Sequence, residues 1–198
     1  MEREIRGGIP VEIRADDDGT IRVSGHAAVF NQEADIAGLF RERIEPGAFA
    51  DSLKRGDDVV FLVNHEGLPL ARTRSGTLKL TEDEIGLRIE TELDPEDPDV
   101  RAIVPKMRRG DLDKMSFAFR AVAQEWDESQ EIPLRTVKRA DLFDVSIVTT
   151  PAYDGTDIGL RSLRDHRDRA ARAHNFHAAR RRLRMKMHLA LTERENGR

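Results

Sequence analysis

The chain has no cysteine, so covalent chemistry on it would fall to a hydroxyl, a lysine or a carboxylate, and disulfide frameworks and thiolate zinc sites are excluded. Of its six histidines, His166, His174, His177 and His188 lie in a basic C-terminal stretch, which leaves His26 and His65 as candidates for a base. His65 follows the most apolar run of the chain, Val59 to Val63, and precedes the turn-like Glu66-Gly67-Leu68-Pro69. A rigid element would deliver its ring to a strand end beside a loop, a suitable position for a general base; taken alone, the plainer reading is a loop histidine with a local hydrogen bond. His26 sits inside an alternating segment and reads as a structural or surface residue. Ser116 lies where the polar, glycine-containing Gly110-Asp111-Leu112-Asp113-Lys114 leads into Met115-Ser116-Phe117-Ala118-Phe119. A serine there would expose its hydroxyl while a ladder holds its backbone. Serine is common at strand starts, however, and no Gly-x-Ser-x-Gly elbow is present, so spacing alone does not make it a nucleophile. Asp141 and Asp144 flank a third hydrophobic segment. Strict alternation puts Asp144, Ser146 and Val148 on one face and Asp141, Phe143, Val145 and Ile147 on the other. An acid buried on such a strand is costly unless paired, and a histidine would explain it; a solvent-facing strand start suits Asp141 better than Asp144.

The elements that must position these residues are mainly strands. Short apolar or alternating segments recur between turn signals: Gly19 to Phe30, Val59 to Val63, Thr77 to Leu80, Leu87 to Leu93, Met115 to Trp126 and Asp144 to Val148. That spacing predicts a barrel or a sandwich. Two helices interrupt it: Pro46 to Leu53, with proline in its first turn, and Asp97 to Val104, with an Asp cap and Pro98 at the first helical position. Pro105 argues against a clean extension to Arg109, because it removes a hydrogen bond and crowds the preceding turn.

Charge divides the chain. Residues 161–198 carry 12 Lys/Arg against 4 Asp/Glu, no proline and one glycine, whereas residues 1–160 are net acidic within a total of −4. The expected organisation is one globular domain, 1–160, followed by a basic tail, 161–198, that is helical or disordered. In the tail, Leu183, Met187 and Leu191 fall on one helical face beside the cluster Arg180-Arg181-Arg182-Leu183-Arg184. The run reads as a solvated extension, as an arm docking on an acidic protein surface, or, less favoured, as a nucleic-acid contact. No apolar run approaches the length of a membrane span and the first residues lack a secretory apolar stretch, so the expectation is an intracellular protein without membrane contact.

Five segments taken in order carry a resemblance: Gly25-His26-Ala27-Ala28-Val29-Phe30; Phe40 to Leu53 around Ile44-Glu45-Pro46-Gly47-Ala48-Phe49; Asn64-His65; Met115-Ser116-Phe117-Ala118-Phe119; and Leu142 to Ala152. Together they resemble the tailed-phage prohead protease family, related to the herpesvirus assemblin proteases. The resemblance implies a mainly β (α+β) fold, an assemblin-like closed or partly closed β-barrel with peripheral helices. It also implies a serine endopeptidase that works without cofactor or metal, with His65 and Ser116 as catalytic residues. The expected partners are the major capsid protein and its scaffold segment, with self-cleavage and self-association as further expectations, and the expected location is the procapsid in the host cytoplasm. Two positions depart from the family pattern. Ala118 stands where a glycine is common, and Asp144 where a glutamate is usual, so the third catalytic member is Asp144 by preference and Asp141 next. A competing reading is a non-catalytic β-barrel scaffold or capsid-assembly module with a nucleic-acid-binding arm, which would have no need of His65 beside Ser116.

Overall fold

The computed structural model describes residues 3–15, 21–150, 163–172, 176, 180–182, 184 and 185. The chain divides into two compact units, Met1–Gly159 and Leu160–Arg198. In the second, residues 163–172 are helical, as are the other described positions; Leu183, Met187 and Leu191, the predicted apolar stripe, lie outside the described residues.

The first unit is mainly β. Its elements in order are β1 (Glu4–Ala15), β2 (Ile21–Val29), β3 (Ala34–Ile36), β4 (Phe40–Ile44), α1 (Ala50–Arg55), β5 (Val60–Val63), β6 (Glu66–Arg72), β7 (Leu78–Glu82), β8 (Gly86–Leu93), α2 (Pro98–Arg108), β9 (Lys114–Asp127) and β10 (Leu134–Val148). They join in the order β3-β4-β10-β9-β1-β2-β8-β7, with β5 and β6 branching from β10. The path has two ends, so the expected closed barrel is not formed; the mainly β fold with peripheral helices is. The reason lies in β10, whose one edge pairs with β9 while the other is divided between two parallel partners, β4 along Leu134–Val137 and β5 along Asp144–Ile147. The sheet therefore forks. The gap in the fork is filled by the α1 region, where Ala140 N donates to Ala48 O at 2.8 Å and Leu142 N to Ser52 Oγ at 3.1 Å, so the backbone between the two ladders is not left unpaired.

One face of the sheet is the core. Phe117 and Phe119 of β9 and Leu142, Val145 and Ile147 of β10 pack there with Phe49, Phe61 and Ile89. Ring contacts run Phe30–Phe49–Phe117–Phe119 with centroids 6.4, 5.7 and 5.2 Å apart, within the range of favourable aromatic pairs. Helix α2 buries Val100, Ile103, Val104 and Met107, and Asp97 caps it by accepting from Asp99 N at 2.8 Å. It continues through Pro105 to Arg108, further than the sequence pattern predicts. Pro105 and Arg101 are both exposed, so the carbonyl that loses its partner lies at the wet side of the helix. No helix among the described residues is long and apolar enough to cross a membrane.

Candidate active site

Ser116, His65 and Asp144 come together from three separate parts of the sequence. Ser116 is on β9, directly opposite Ser146 of β10. Asp144 is two residues along β10 and points to the same face, away from the phenylalanine core. Between Leu142 and Asp144 the β9–β10 register shifts at Phe143. This bulge corrects the alternation read from sequence. It puts Asp141 on the same face as Asp144, opposite Arg120, while Leu142 and Val145 both face the core opposite Phe119 and Phe117.

His65 arrives from the other edge of β10. Asn64 and His65 are the two loop residues of the β5–β6 hairpin, and both have positive φ, 51° and 62°, the pattern a two-residue primed turn demands. Asparagine tolerates this conformation; histidine does so at a cost of order 1–2 kcal/mol. The tip is held on β10: Asn64 N donates to Ile147 O at 2.9 Å, Asn64 Oδ1 accepts from Thr149 N at 3.1 Å, and His65 N donates to Ser146 Oγ at 3.2 Å. The expectation that Glu66-Gly67-Leu68-Pro69 forms the turn is therefore shifted by two residues; those four begin β6.

The side chains form a series. His65 Nε2 is 2.6 Å from Ser116 Oγ, and His65 Nδ1 is 2.5 Å from Asp144 Oδ1. Ser146 Oγ donates to the same Asp144 oxygen at 3.1 Å and lies 3.2 Å from Nδ1. Arg3 makes an ion pair with the second carboxylate oxygen, Oδ2. Ser116 is fully buried, and the side chains of His65 and Asp144 are 8% and 2% exposed. In such a setting a charge is strongly felt and a hydrogen bond is stronger than in water.

The remaining candidates are elsewhere. Asp141 ion-pairs with Arg55 at 2.5 Å and Arg120 at 2.6 Å; the hydrogen bond from Arg120, ahead of the opposing effect of burial and the bond from Arg55, holds its carboxyl below the usual range. His26 contacts Asp83 at 2.9 Å, tying β2 to the β7–β8 turn. Ala118 is extended and fully buried opposite Asp144, and it is not among the positive-φ residues, so the position accommodates a methyl group.

Sequence reasoning does not single out four contributors: Arg3, Arg6, Gly7 and Ser146. Gly7 is opposite Ser116, and a Cβ there would come within 2.7 Å of Met115 O and 2.9 Å of Ser116 Oγ. Arg6 O accepts a hydrogen bond from Ser116 Oγ at 2.8 Å. The signal for these is Gly7-Gly8, glycines inside a strand where another backbone approaches closely.

Comparison with known proteins gives three findings. The sequence profile described as Caudovirus prohead serine protease matches residues 9–169. A prohead protease of Escherichia phage T5 is 33% identical over 91 residues, which span 45% of this chain and 41% of that protein. The solved structure of the bacteriophage T4 capsid assembly protease shares the fold, with a TM-score of 0.51 at 11% identity, covering 76% of this chain and 98% of the T4 chain.

Proposed function

The chain belongs to the caudovirus prohead serine protease family, and from that premise we propose that it is a serine endopeptidase that cleaves capsid and scaffold protein segments, and itself, during procapsid maturation. Ser116 is the nucleophile, His65 its general base and Asp144 the acid that orients His65. The observation that carries this reading is the unbroken series Ser116 Oγ–His65 Nε2 at 2.6 Å and His65 Nδ1–Asp144 Oδ1 at 2.5 Å. A module without catalysis has no need of that series, and of a histidine held at positive φ to complete it.

The mechanism follows from where protons can go. With the Nδ1 proton on the Asp144 side, Nε2 is free to accept the Ser116 proton as Oγ attacks the scissile carbonyl. The imidazolium so formed lies between the attacking oxygen and a carboxylate, and it returns the proton to the leaving amine. Water then opens the acyl-enzyme with the same histidine as base. Ser146 supports the arrangement by bonding to both Asp144 and the His65 backbone, which fixes the ring's approach. No step calls for a metal or cofactor.

Residues 1–160 form the protease domain in this reading, and the basic residues 161–198 form an arm that docks on an acidic scaffold or capsid surface inside the procapsid in the host cytoplasm, where direct nucleic-acid binding is the less favoured use. The test is co-production with the cognate major capsid protein, followed by mass measurement of both chains. Shortened capsid protein with the wild-type chain, and uncut capsid protein with Ser116→Ala, is the expected result. Equal processing by both would remove Ser116 from the chemistry.

A further inference from the structure

Strand β1 is two strands in one. Glu4 to Pro10 pairs with β9, and Val11 to Ala15 pairs with β2. Within the first half, Gly8 has φ 116° and lies at a register shift between Gly7 and Ile9, which separates Glu4–Gly7 from Ile9 and Pro10. Among the described residues no strand pairs with the other edge of the first half; a cavity of about 400 Å³ borders it there, lined by Arg6 to Ile9 and by Ala28 and Val29 of β2.

This first half lies on the proposed nucleophile. Gly7 is opposite Ser116, Arg6 O takes a hydrogen bond from its hydroxyl, Arg3 holds Asp144, and Ser116 has no exposed surface. The hydroxyl has one proton. When it is given to Arg6 O it is not given to His65, and while the Arg6–Gly7 backbone remains there no scissile carbonyl can reach Oγ.

On the core side the same segment is held by charge. Glu4 and Arg6 join Glu42 of β4 and Arg135 of β10, all of them buried: Arg6 Nε–Glu42 Oε1 is 2.6 Å, Arg135 Nη2–Glu4 Oε1 is 2.7 Å, Arg6 Nη2–Glu4 Oε2 is 3.0 Å and Arg135 Nη1–Glu42 Oε2 is 2.7 Å. The four charges divide into two neutral pairs, Glu4–Arg6 on the segment and Glu42–Arg135 on the body. Withdrawal of the segment therefore strands no single buried charge on the body, the outcome that makes breaking most buried ion pairs so unfavourable.

We propose that residues 3–7 are a built-in latch over the active site, that the edge of β9 beside Ser116 is the docking site for an extended peptide substrate, and that the substrate enters by displacing the latch about Gly8. Strand addition to the vacated edge supplies main-chain hydrogen bonds in place of those lost, so the exchange is close to balanced in ladder bonds. Loss of Arg3 from Asp144 in the same movement leaves the carboxylate to His65 and Ser146, so uncovering Ser116 and releasing Asp144 from Arg3 occur together. The inference rests on the reading of Ser116 as the nucleophile.

Ile5 and Ala118 are direct cross-strand partners, and the native chain offers no competing thiol. In the full chain carrying Ile5→Cys and Ala118→Cys, a disulfide locks the latch, and reduction frees it in the same polypeptide. The probe is a fluorescent fluorophosphonate, with its mass located on Ser116. Labelling should fall at least about tenfold on oxidation and return on reduction, because reactivity scales with the open fraction. Equal labelling of the oxidised and reduced forms overturns the latch. Absence of labelling in the reduced form and in the wild-type chain, together with peptide cleavage that persists in Ser116→Ala, overturns the nucleophile itself, a distinguishable failure. A second measurement uses the wild-type chain alone: once Ser116 carries the phosphonate, amides of residues 4–7 should exchange hydrogen at least about tenfold faster while those of 11–15 keep their protection. Unchanged protection at 4–7 in the labelled protein also overturns the proposal.

Discussion

Strand β10 carries a buried polar cluster at each end, and the two are built on opposite terms. At its start, Arg135 meets Glu42 and Glu4, with Arg6 completing the set. Burial alone would push the Glu42 carboxyl up, but the charges of Arg6 and Arg135 and their hydrogen bonds outweigh it and hold the group below the usual carboxylate range. Two cations face two anions, and every proton there is fixed on a guanidinium that does not release it. At the other end, Asp144, His65, Ser116 and Ser146 share protons that have more than one acceptor within reach. A closed set of permanent charges gives a fixed arrangement, whereas a series of weak acids and bases in contact allows proton transfer. Burial is common to both, so burial does not distinguish the two ends; the chemical type of the groups does.

The comparison is broken most severely at the end that holds Ser116. Ser116→Ala or His65→Ala should lower peptide cleavage by on the order of 10⁶-fold, the scale seen when a nucleophile or its base is removed from such a series. The thermal midpoint should remain within a few degrees of the wild type, because neither change removes core packing. Cleavage near the wild-type rate in either variant, measured by peptide hydrolysis, would reject the assignment. Asp144→Asn is expected next, with a loss of about 10³-fold or more, since the amide turns the wrong side toward Nδ1 and favours the other tautomer.

At the paired end the expected effect is on stability. Arg135→Met leaves Glu4 and Glu42 buried beside Arg6 alone, and removal of one partner from a buried ionic set costs about 3–5 kcal/mol. Urea denaturation at neutral pH is the measurement. A loss below about 1 kcal/mol would mean that the remaining acids relax into solvent or protonate easily, and that the two ends differ less than their composition implies.

Much of the candidate site is legible in the amino-acid sequence. His65, Ser116 and Asp144 are readable because an imidazole at the end of an apolar strand, a hydroxyl at a strand start and an acid inside a hydrophobic run each call for explanation, and the resemblance joins them. What covers the site is not readable. Residues 4–9 carry alternating charges and two glycines, a poor strand by propensity, and they are held in the sheet by the tertiary pairing of Arg6 with Glu42 and of Glu4 with Arg135, far away along the chain. The first half of β10 escapes the pattern for a related reason: Thr136, Lys138 and Arg139 interrupt any apolar alternation, and the strand is held between β4 and β9. The bulge at Phe143 has no signature in composition, yet it decides which face Asp141 takes. The closed-barrel alternative fails on β10, because a strand that divides one edge between two parallel partners is specified by contacts and not by its own alternation.

Asp141 gives the smallest predicted effect and the sharpest control. It shares a face and a strand with Asp144, and it carries the same functional group three residues away. Its partners, however, are Arg120 and Arg55, whose guanidinium groups hold no exchangeable base, so the pairing fixes a charge and transfers nothing. Asp141→Asn should therefore leave peptide cleavage within about threefold of the wild type, in contrast to Asp144→Asn. Its contribution should appear in the acid range of stability. The Asp141 carboxyl is held below its ordinary value, first by the Arg120 hydrogen bond and, against the effect of burial, by Arg55. A group depressed in the folded state adds stability above its unfolded value, near 3.9, and that addition is lost as pH falls through the folded value. The urea midpoints of wild type and Asp141→Asn should thus differ slightly and constantly between pH 5 and 7, by no more than about 1 kcal/mol for pairs open to solvent, and converge below about pH 4. A larger loss of cleavage in Asp141→Asn than in Asp144→Asn would transfer the orienting role to Asp141 and reverse the assignment.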